Sequence, residues 1–503
     1  MAFEPVGEAD RRLLANVRPE GWTNPEPDGP YDLVVVGGGT GGLVSAAIGA
    51  AVGARVALVE RALMGGDCLN FGCVPSKAVL RASRSWAEAR ASARRFGGPE
   101  VEGEGDFSSV MERMRGLRAD MSVVDGADRF RALGVDVFLG EARFDGPESV
   151  VVDGARLRFR RAILATGARA AVPPIPGLGD TPFLTNETVF DLTELPVRLL
   201  VLGAGPVGCE LAQAFARFGS QVTVLESANV PLPHEEPEAS ESLRSALEAD
   251  GISFLGGVRV VEASARGTGV VVAFEKQGLR DRREGDALLV ATGRAPNVAL
   301  GLEAAGVAFT PRGVEVDDRL RTTNRRIFAV GDVASPRQLT HVADAQARLA
   351  VRNALFFGRG KASALVVPAA IYTSPEVARV GPTLRELREE GVVVETLTVP
   401  FSDVDRARLD GDGEGFVQIH LREGRDEILG ATIVAPHAGD LIAQVTQAMK
   451  LGVGLDELGE VIFPYPTTAE ALKKAADRYR RRRLTPRARR IFRLFFRLWR
   501  RMP

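Results

Sequence analysis

Two cysteines five positions apart, Cys68 and Cys73 in GGDCLNFGCVPSKAVL (residues 65–80), are the residues of this chain best suited to chemistry. The sequence contains only one other, Cys209. On a regular helix, residues five apart stand about 7.5 Å apart along the axis and some 140° apart around it. A disulfide wants its two Cα atoms within about 4.4–6.8 Å. If the pair bridges, the chain between them is therefore not uniform helix, and Gly65, Gly66 and Gly72 supply the irregularity before Pro75 enters one. Bridged, the pair offers reversible two-electron chemistry; unbridged, it is core packing. The N-terminus MAFEPVGEADRRLL lacks the basic flank, apolar run and small-residue cleavage site of an export signal. That favours a reducing cytoplasm, where a disulfide is more often a working couple than a staple.

Two further stretches frame this pair. YDLVVVGGGTGGLVSAAIGAAVGARVALVE (residues 31–60) reads as a buried strand, a glycine turn, a small-residue helix and a second strand ending on an acid. Gly37, Gly39 and Gly42 fit GxGxxG: the first makes the tight turn, the second lets backbone approach a pyrophosphate, and the third lets helix pack on strand. Glu60 then stands where a carboxylate accepts from ribose hydroxyls. LLVLGAGPVGCELAQAFARFGSQVTVLES (residues 199–227) repeats the whole unit with Gly203, Gly205, Gly208 and Glu226. Two complete units imply two dinucleotides. The acid at 226, with no arginine in the following SANVPLPHEE, favours NADH over NADPH because a 2′-phosphate meets like charge.

A chain of 503 residues exceeds one ordinary core, so three or four packed units are expected. No run of 18 uncharged apolar residues suggests a spanning helix. Twelve arginines against the single acid Asp477 make residues 477–503 +11, which leaves −12 on the remainder of a chain of net −1. The body is thus no nucleic-acid binder. In the tail, Ile491, Phe495, Leu498 and Met502 share a helical stripe, with arginines largely around it. That pattern suits an interfacial membrane helix over residues 484–502, the alternative being a helix packed on a dimer.

These motifs, with AILATGA (162–168), LLVATGRAPN (288–297) and TTNRRIFAVGDVA (322–334) in that order, make residues 30–478 similar to the pyridine nucleotide-disulfide oxidoreductases. The resemblance implies an α/β fold of two Rossmann-like domains with an α+β C-terminal dimerisation domain. It divides the chain into an N-terminal extension (1–29), a first FAD-binding part (30–170), a nicotinamide part (171–295), a central FAD-binding return (296–365), the dimerisation domain (366–478) and the basic tail (479–503). It implies FAD held by Gly37, Gly39, Gly42, Glu60, Lys77, Thr166, Gly167, Gly331 and Asp332. NADH, with NADPH as the alternative, falls to Gly203, Gly205, Gly208, Glu226 and Gly293. No resident metal is expected.

The same resemblance makes Cys68 and Cys73 the redox disulfide, with Cys73 beside the flavin as the charge-transfer thiolate and Cys68 as the exposed sulfur that meets substrate. A helix N-terminus at Cys73 would lower its pKa. Lys77 is implied to pair with Glu210 beneath the flavin, and Cys209 reads as a packing residue. Disulfide-reducing members carry a histidine, delivered by the partner subunit, before a proline, threonine and nearby glutamate. Aligning those on Pro466, Thr467 and Glu470 puts Tyr465 at the histidine position. Tyrosine, with a pKa of about 10, shuttles protons poorly at neutral pH. Mercuric reductases carry a tyrosine there, but their vicinal C-terminal cysteines and N-terminal CxxC domain have no counterpart in this sequence. His341, after the flavin aspartate, reads either as a flavin neighbour or as an ordinary hydrogen-bonded histidine.

The expected activity is therefore hydride transfer from NAD(P)H through FAD and the Cys68–Cys73 disulfide to an acceptor, foremost a metal ion. A membrane-surface NADH:quinone or diaphorase-type reductase, a dihydrolipoamide dehydrogenase-like enzyme and a redox sensor stand as alternatives. A cytoplasmic homodimer, peripheral on the inner membrane surface if the tail binds lipid, completes the expectation.

Overall fold

Alternating burial on the first strand shows how the sheets are built. In the computed structural model, which describes residues 7–101, 103 and 105–502, Leu33 and Val35 enter one apolar cluster while Val34 and Val36 enter another. A strand covered on both faces needs apolar residues at both parities, as parallel sheets do. The strand Tyr31–Val36 lies between Val56–Glu60 and Ala155–Leu164, parallel to both. Val135–Leu139 and Ile327–Ala329 extend this sheet in parallel, and Ser149–Val152 and Ala142–Gly146 add an antiparallel edge.

The second fingerprint builds a four-stranded parallel sheet in the order Ser253–Gly256, Gln221–Glu226, Arg198–Leu202, Ala287–Val290. An antiparallel sheet of Arg259–Arg266, Gly269–Lys276 and Leu279–Gly285 follows it. The chain is thus an α/β protein whose dinucleotide-binding folds match the expected class.

The chain divides into two compact units. One takes in the chain up to Asn229 together with Asp250–Leu365, and the other is Val230–Ala249 with Val366 onward. Both dinucleotide folds fall in the first because the helix Cys73–Phe96 packs on Phe107–Asp125 and on Pro206–Phe218. The residues before Tyr31 also belong there, and Glu8–Val17 is a helix with Leu13 and Val17 in the core.

The second unit is a five-stranded antiparallel sheet, Pro368–Ile371, Glu376–Val380, Ile428–Ala435, Phe416–Arg422 and Val394–Pro400 in that order. Helices Ala438–Leu451 and Glu470–Arg483 pack on it. Helix Pro237–Ala249 joins this unit through the residues before it: Glu236 bonds His420 Nε2 at 3.0 Å and the Leu384 amide at 2.7 Å, and Arg379 Nε donates to Glu235 at 2.7 Å. The tail forms a further helix, Pro486–Trp499, none of whose residues is buried.

Candidate active site

The cysteine motif breaks where the disulfide geometry requires. A short helix, Gly66–Asn70, stops at Phe71, and a new one starts at Cys73. Gly65 and Gly66 have φ of 86° and 58°, and a Cβ on Gly66 would come within 2.5 Å of Gly39 Cα. The redox motif is thereby fastened to the first glycine turn.

The two thiols are unbridged and hydrogen-bonded, Cys68 donating to Cys73. That bond pulls Cys73 down to about 6, aided by Thr340 and the Lys77 charge against the effect of burial, and it drives Cys68 strongly upward. Cys73 also opens the helix Cys73–Phe96, whose N-terminus acts in the same direction. Thr340 Oγ1 lies 3.2 Å from Cys73 Sγ at the start of helix Thr340–Leu355. Cys68 lies inside the short turn, beside the buried Leu69 and Asn70, whereas Cys73 opens a helix. Lys77 Nζ donates to Glu210 at 2.8 Å, tying the cysteine helix to that of the second fingerprint. Cys209 is buried, its thiol donating to Ala204 O at 3.3 Å.

A cavity of roughly 1380 Å³ is lined by Gly37, Gly39, Glu60, Asp67, Thr166 and Gly167 among others. That exceeds the range of about 300–1,000 Å³ usual for small-molecule pockets, as a dinucleotide requires. A Cβ on Gly37 would lie 2.3 Å from Ala165 O, and one on Gly42 would lie 1.7 Å from Gly37 O. Gly39 has only Gly66 Cα near its missing Cβ, at 3.6 Å, and both glycines line the cavity. The Glu60 carboxylate accepts from the amides of Gly38 (2.6 Å) and Ala62 (2.7 Å); burial pushes it up and these bonds oppose the push. These residues fit FAD: a carboxylate at the strand end beside bare glycine backbone in a cavity of dinucleotide size.

The second cradle repeats the pattern. Cβ atoms on Gly203 and Gly208 would meet Ala291 O at 2.6 Å and Gly203 O at 2.0 Å, while Gly205 is open. Glu226 accepts from Ala204 N (2.6 Å) and Ala228 N (2.9 Å). Gly293 has φ of 130° with nothing near its missing Cβ. Gly331 donates its amide to Gln346 at 2.8 Å, and Thr166 Oγ1 donates to Asn297 O at 2.8 Å. Burial raises the Asp332 carboxyl, opposed by Arg294, whose guanidinium lies 3.4 Å from Asp332 and 3.3 Å from Asp67.

Sequence reasoning missed Arg294, Asp67 and Thr340. The first two stand inside quoted motifs, directly after Gly293 and before Cys68, so their positions were the available signal. Nothing local marks Thr340; a contact 267 residues away brings it to Cys73. Its neighbour His341 is exposed.

Tyr465 and Glu470 belong to the second unit. Tyr465 is 72% exposed, and its hydroxyl donates to Asp405 at 3.2 Å, an acceptor whose bond and charge raise the phenol's pKa. Glu470 pairs with Lys474 at 3.4 Å through one oxygen, while the other is buried with no hydrogen-bond partner among the described residues.

Two glycine cradles with matching acids, beside a thiol pair whose helix spans both folds, define a nicotinamide- and flavin-linked dithiol oxidoreductase. Residues 31–347 match the pyridine nucleotide-disulphide oxidoreductase family and residues 367–476 match its dimerisation domain, so the chain belongs to that family. It is 36% identical over 453 residues to a mercuric reductase of Staphylococcus aureus, covering 89% of this chain and 82% of that one. It is equally identical, over 458 residues, to a dihydrolipoyl dehydrogenase of Thermus scotoductus, covering 89% and 97%. The Cu(II) complex of the HOCl-induced flavoprotein disulfide reductase RclA from Escherichia coli superposes with a TM-score of 0.77 at 28% identity, covering 88% of this chain and 98% of that one. The protein is an FAD-dependent oxidoreductase of NAD(P)H, and its dimerisation domain supports a homodimer.

Proposed function

We infer that this oxidoreductase reduces a thiophilic metal ion bound by Cys68 and Cys73. The observation that carries this is Tyr465, an exposed phenol whose hydrogen bond to Asp405 raises its pKa further from neutrality. A disulfide substrate needs a proton delivered to its leaving thiolate, and a group that stays protonated at neutral pH does not exchange one readily. A metal ion needs thiolate ligands and electrons instead. Cys73 supplies a thiolate near neutral pH, and Cys68 gives up its proton on binding. FAD, when bound, supplies the two-electron relay between nicotinamide and the thiols. Lys77 and Glu210 position the cysteine helix against the nicotinamide fold, and Thr340 holds Cys73.

The net reaction balances as NAD(P)H + M(II) → NAD(P)+ + H+ + M(0) for mercury, or with two Cu(II) giving two Cu(I). The S. aureus relative is named for mercury reduction, and RclA has been solved as a Cu(II) complex. NADH is the preferred donor, because both oxygens of Glu226 are held by backbone amides at the ribose end of the second cradle.

Anaerobic NADH titration followed by Hg(II), Cu(II), a quinone, lipoamide and glutathione disulfide tests this. Hg(II) or Cu(II) should drive turnover that Cys68→Ala or Cys73→Ala abolishes. Efficient turnover of lipoamide or glutathione disulfide would sink the metal reading, and equal efficiency with NADPH would remove the NADH preference.

A second reading, membrane-surface quinone reduction, is favoured by the helix Pro486–Trp499. Arg489, Arg490, Arg493 and Arg497 occupy one side of it, and Ile491, Phe492, Phe495 and Trp499 the other, all exposed. Among the described residues no helix is long and apolar enough to cross a membrane, so contact would be interfacial.

A further inference from the structure

The dinucleotide cavity has a wall that the family match does not include. Arg11, Leu14, Arg18, Gly21 and Trp22 line it together with residues of the glycine turn, and the family match begins only at residue 31.

That wall is stitched to the ends of two neighbouring strands. Arg18 Nη1 donates to Arg61 O (2.9 Å) and Ala62 O (2.7 Å), the two residues after Glu60. Trp22 Nε1 donates to Val137 O at 3.3 Å, and the Arg131 guanidinium sits 4.6 Å from the centre of its ring. Asn24 exchanges bonds with Leu139, accepting from its amide at 2.8 Å and donating to its carbonyl at 3.3 Å. In open α/β sheets ligands bind outside the carboxyl ends of the strands, which is where Val56–Glu60 and Val135–Leu139 end.

Behind the wall the helix Glu8–Val17 is clamped. Its Asp10 is wholly buried and pairs with the equally buried Arg118 at 2.8 Å, and Arg118 also donates to Asn70 O at 2.8 Å. A buried carboxylate is tolerated only when paired and hydrogen-bonded. The segment is held by the interior of the first unit.

We propose that the cavity-lining residues Arg11, Leu14, Arg18, Gly21 and Trp22 complete the adenosine end of the FAD site, with Arg18 and Trp22 as positioning residues that close the cavity over the adenosine diphosphate half beside Glu60. An aromatic ring, two arginines and bare backbone match an adenine ring joined to a diphosphate. FMN lacks the adenosine diphosphate that this wall would cover, so it gains nothing from it. This holds whatever the acceptor is.

The test uses the full chain. In wild-type apoprotein, FAD and ADP should each slow amide hydrogen exchange in residues 18–24, and FMN should not. FAD release on dilution, followed by flavin fluorescence, should quicken at least 10-fold in Arg18→Ala and Trp22→Ala. ADP should compete less well for both, while NADH reduces the FAD still bound at the wild-type rate. Arg12→Ala removes a surface pair with Asp120 outside the cavity and should release FAD like wild type. Unprotected amides in the wild-type segment, wild-type release from the folded variants, or equal acceleration by Arg12→Ala would overturn the proposal. Should either variant fail to fold, the wild-type exchange experiment still decides.

Discussion

Cys73 stands where three favourable contacts meet: the Cys68 thiol donates to it, Thr340 lies 3.2 Å away, and Lys77 brings a positive charge one turn along. The thiolate, not the thiol, is the nucleophile and the metal ligand, so the bond from Cys68 governs reactivity. We expect the thiolate ultraviolet absorbance of the reduced apoprotein to rise in a step near 6 that Cys73→Ser removes. Cys68→Ala should move that step toward the free-thiol value of about 8.5, which lowers the thiolate fraction at neutral pH roughly 30-fold. A step that stays put in Cys68→Ala would mean that the neighbouring thiol is not what holds Cys73 ionised. The pair itself was legible in the sequence through its spacing and flanking glycines. The contact with Thr340 was not, because that residue lies 267 positions along the chain.

At the scale of elements, both fingerprints were readable because the first and third glycine of each sit where a Cβ would strike backbone, a constraint local enough to show in spacing. The helix Glu8–Val17 was not readable as part of the flavin fold, since its clamp joins Asp10 to a partner 108 residues on. Nor was the assignment of Val230–Ala249 to the second unit, which rests on Glu235 and Glu236 meeting Arg379, Leu384 and His420. That latch has a pH signature. Burial works against the Glu236 charge, but His420, the Leu384 amide and Arg379 hold its carboxyl below the usual range. A depressed carboxyl stabilises the fold above the unfolded value of about 4.3 and loses that contribution as pH falls through the folded value. Glu236→Gln should therefore melt below wild type at neutral pH, with the deficit closing as pH drops below about 4. A deficit that persists unchanged in acid would assign it to packing instead of charge.

For the whole molecule, the division of charge decides which surface can meet a membrane. Residues 477–503 carry +11 and the rest of the chain −12, so an anionic bilayer repels the body and attracts only the tail. The tail helix keeps its apolar and arginine faces apart and buries no residue against its own chain. A second copy seated on it would bring the same arginines into register, whereas anionic lipid neutralises them. At about 1 kcal/mol per arginine reaching such a surface, the face formed by Arg489, Arg490, Arg493 and Arg497 gives a vesicle affinity on the order of 100-fold or more above that of a tail-less chain. The full chain should sediment with phosphatidylserine vesicles, much less with phosphatidylcholine alone, and less again in high salt, where screening shortens the reach of the charges. A chain ending before Leu484 should remain in the supernatant while keeping the native oligomer size. Equal sedimentation of the two chains would remove the lipid reading. If the shortened chain also fell apart into monomers, the helix would belong to the subunit interface, and the quinone reading would lose the feature that favours it.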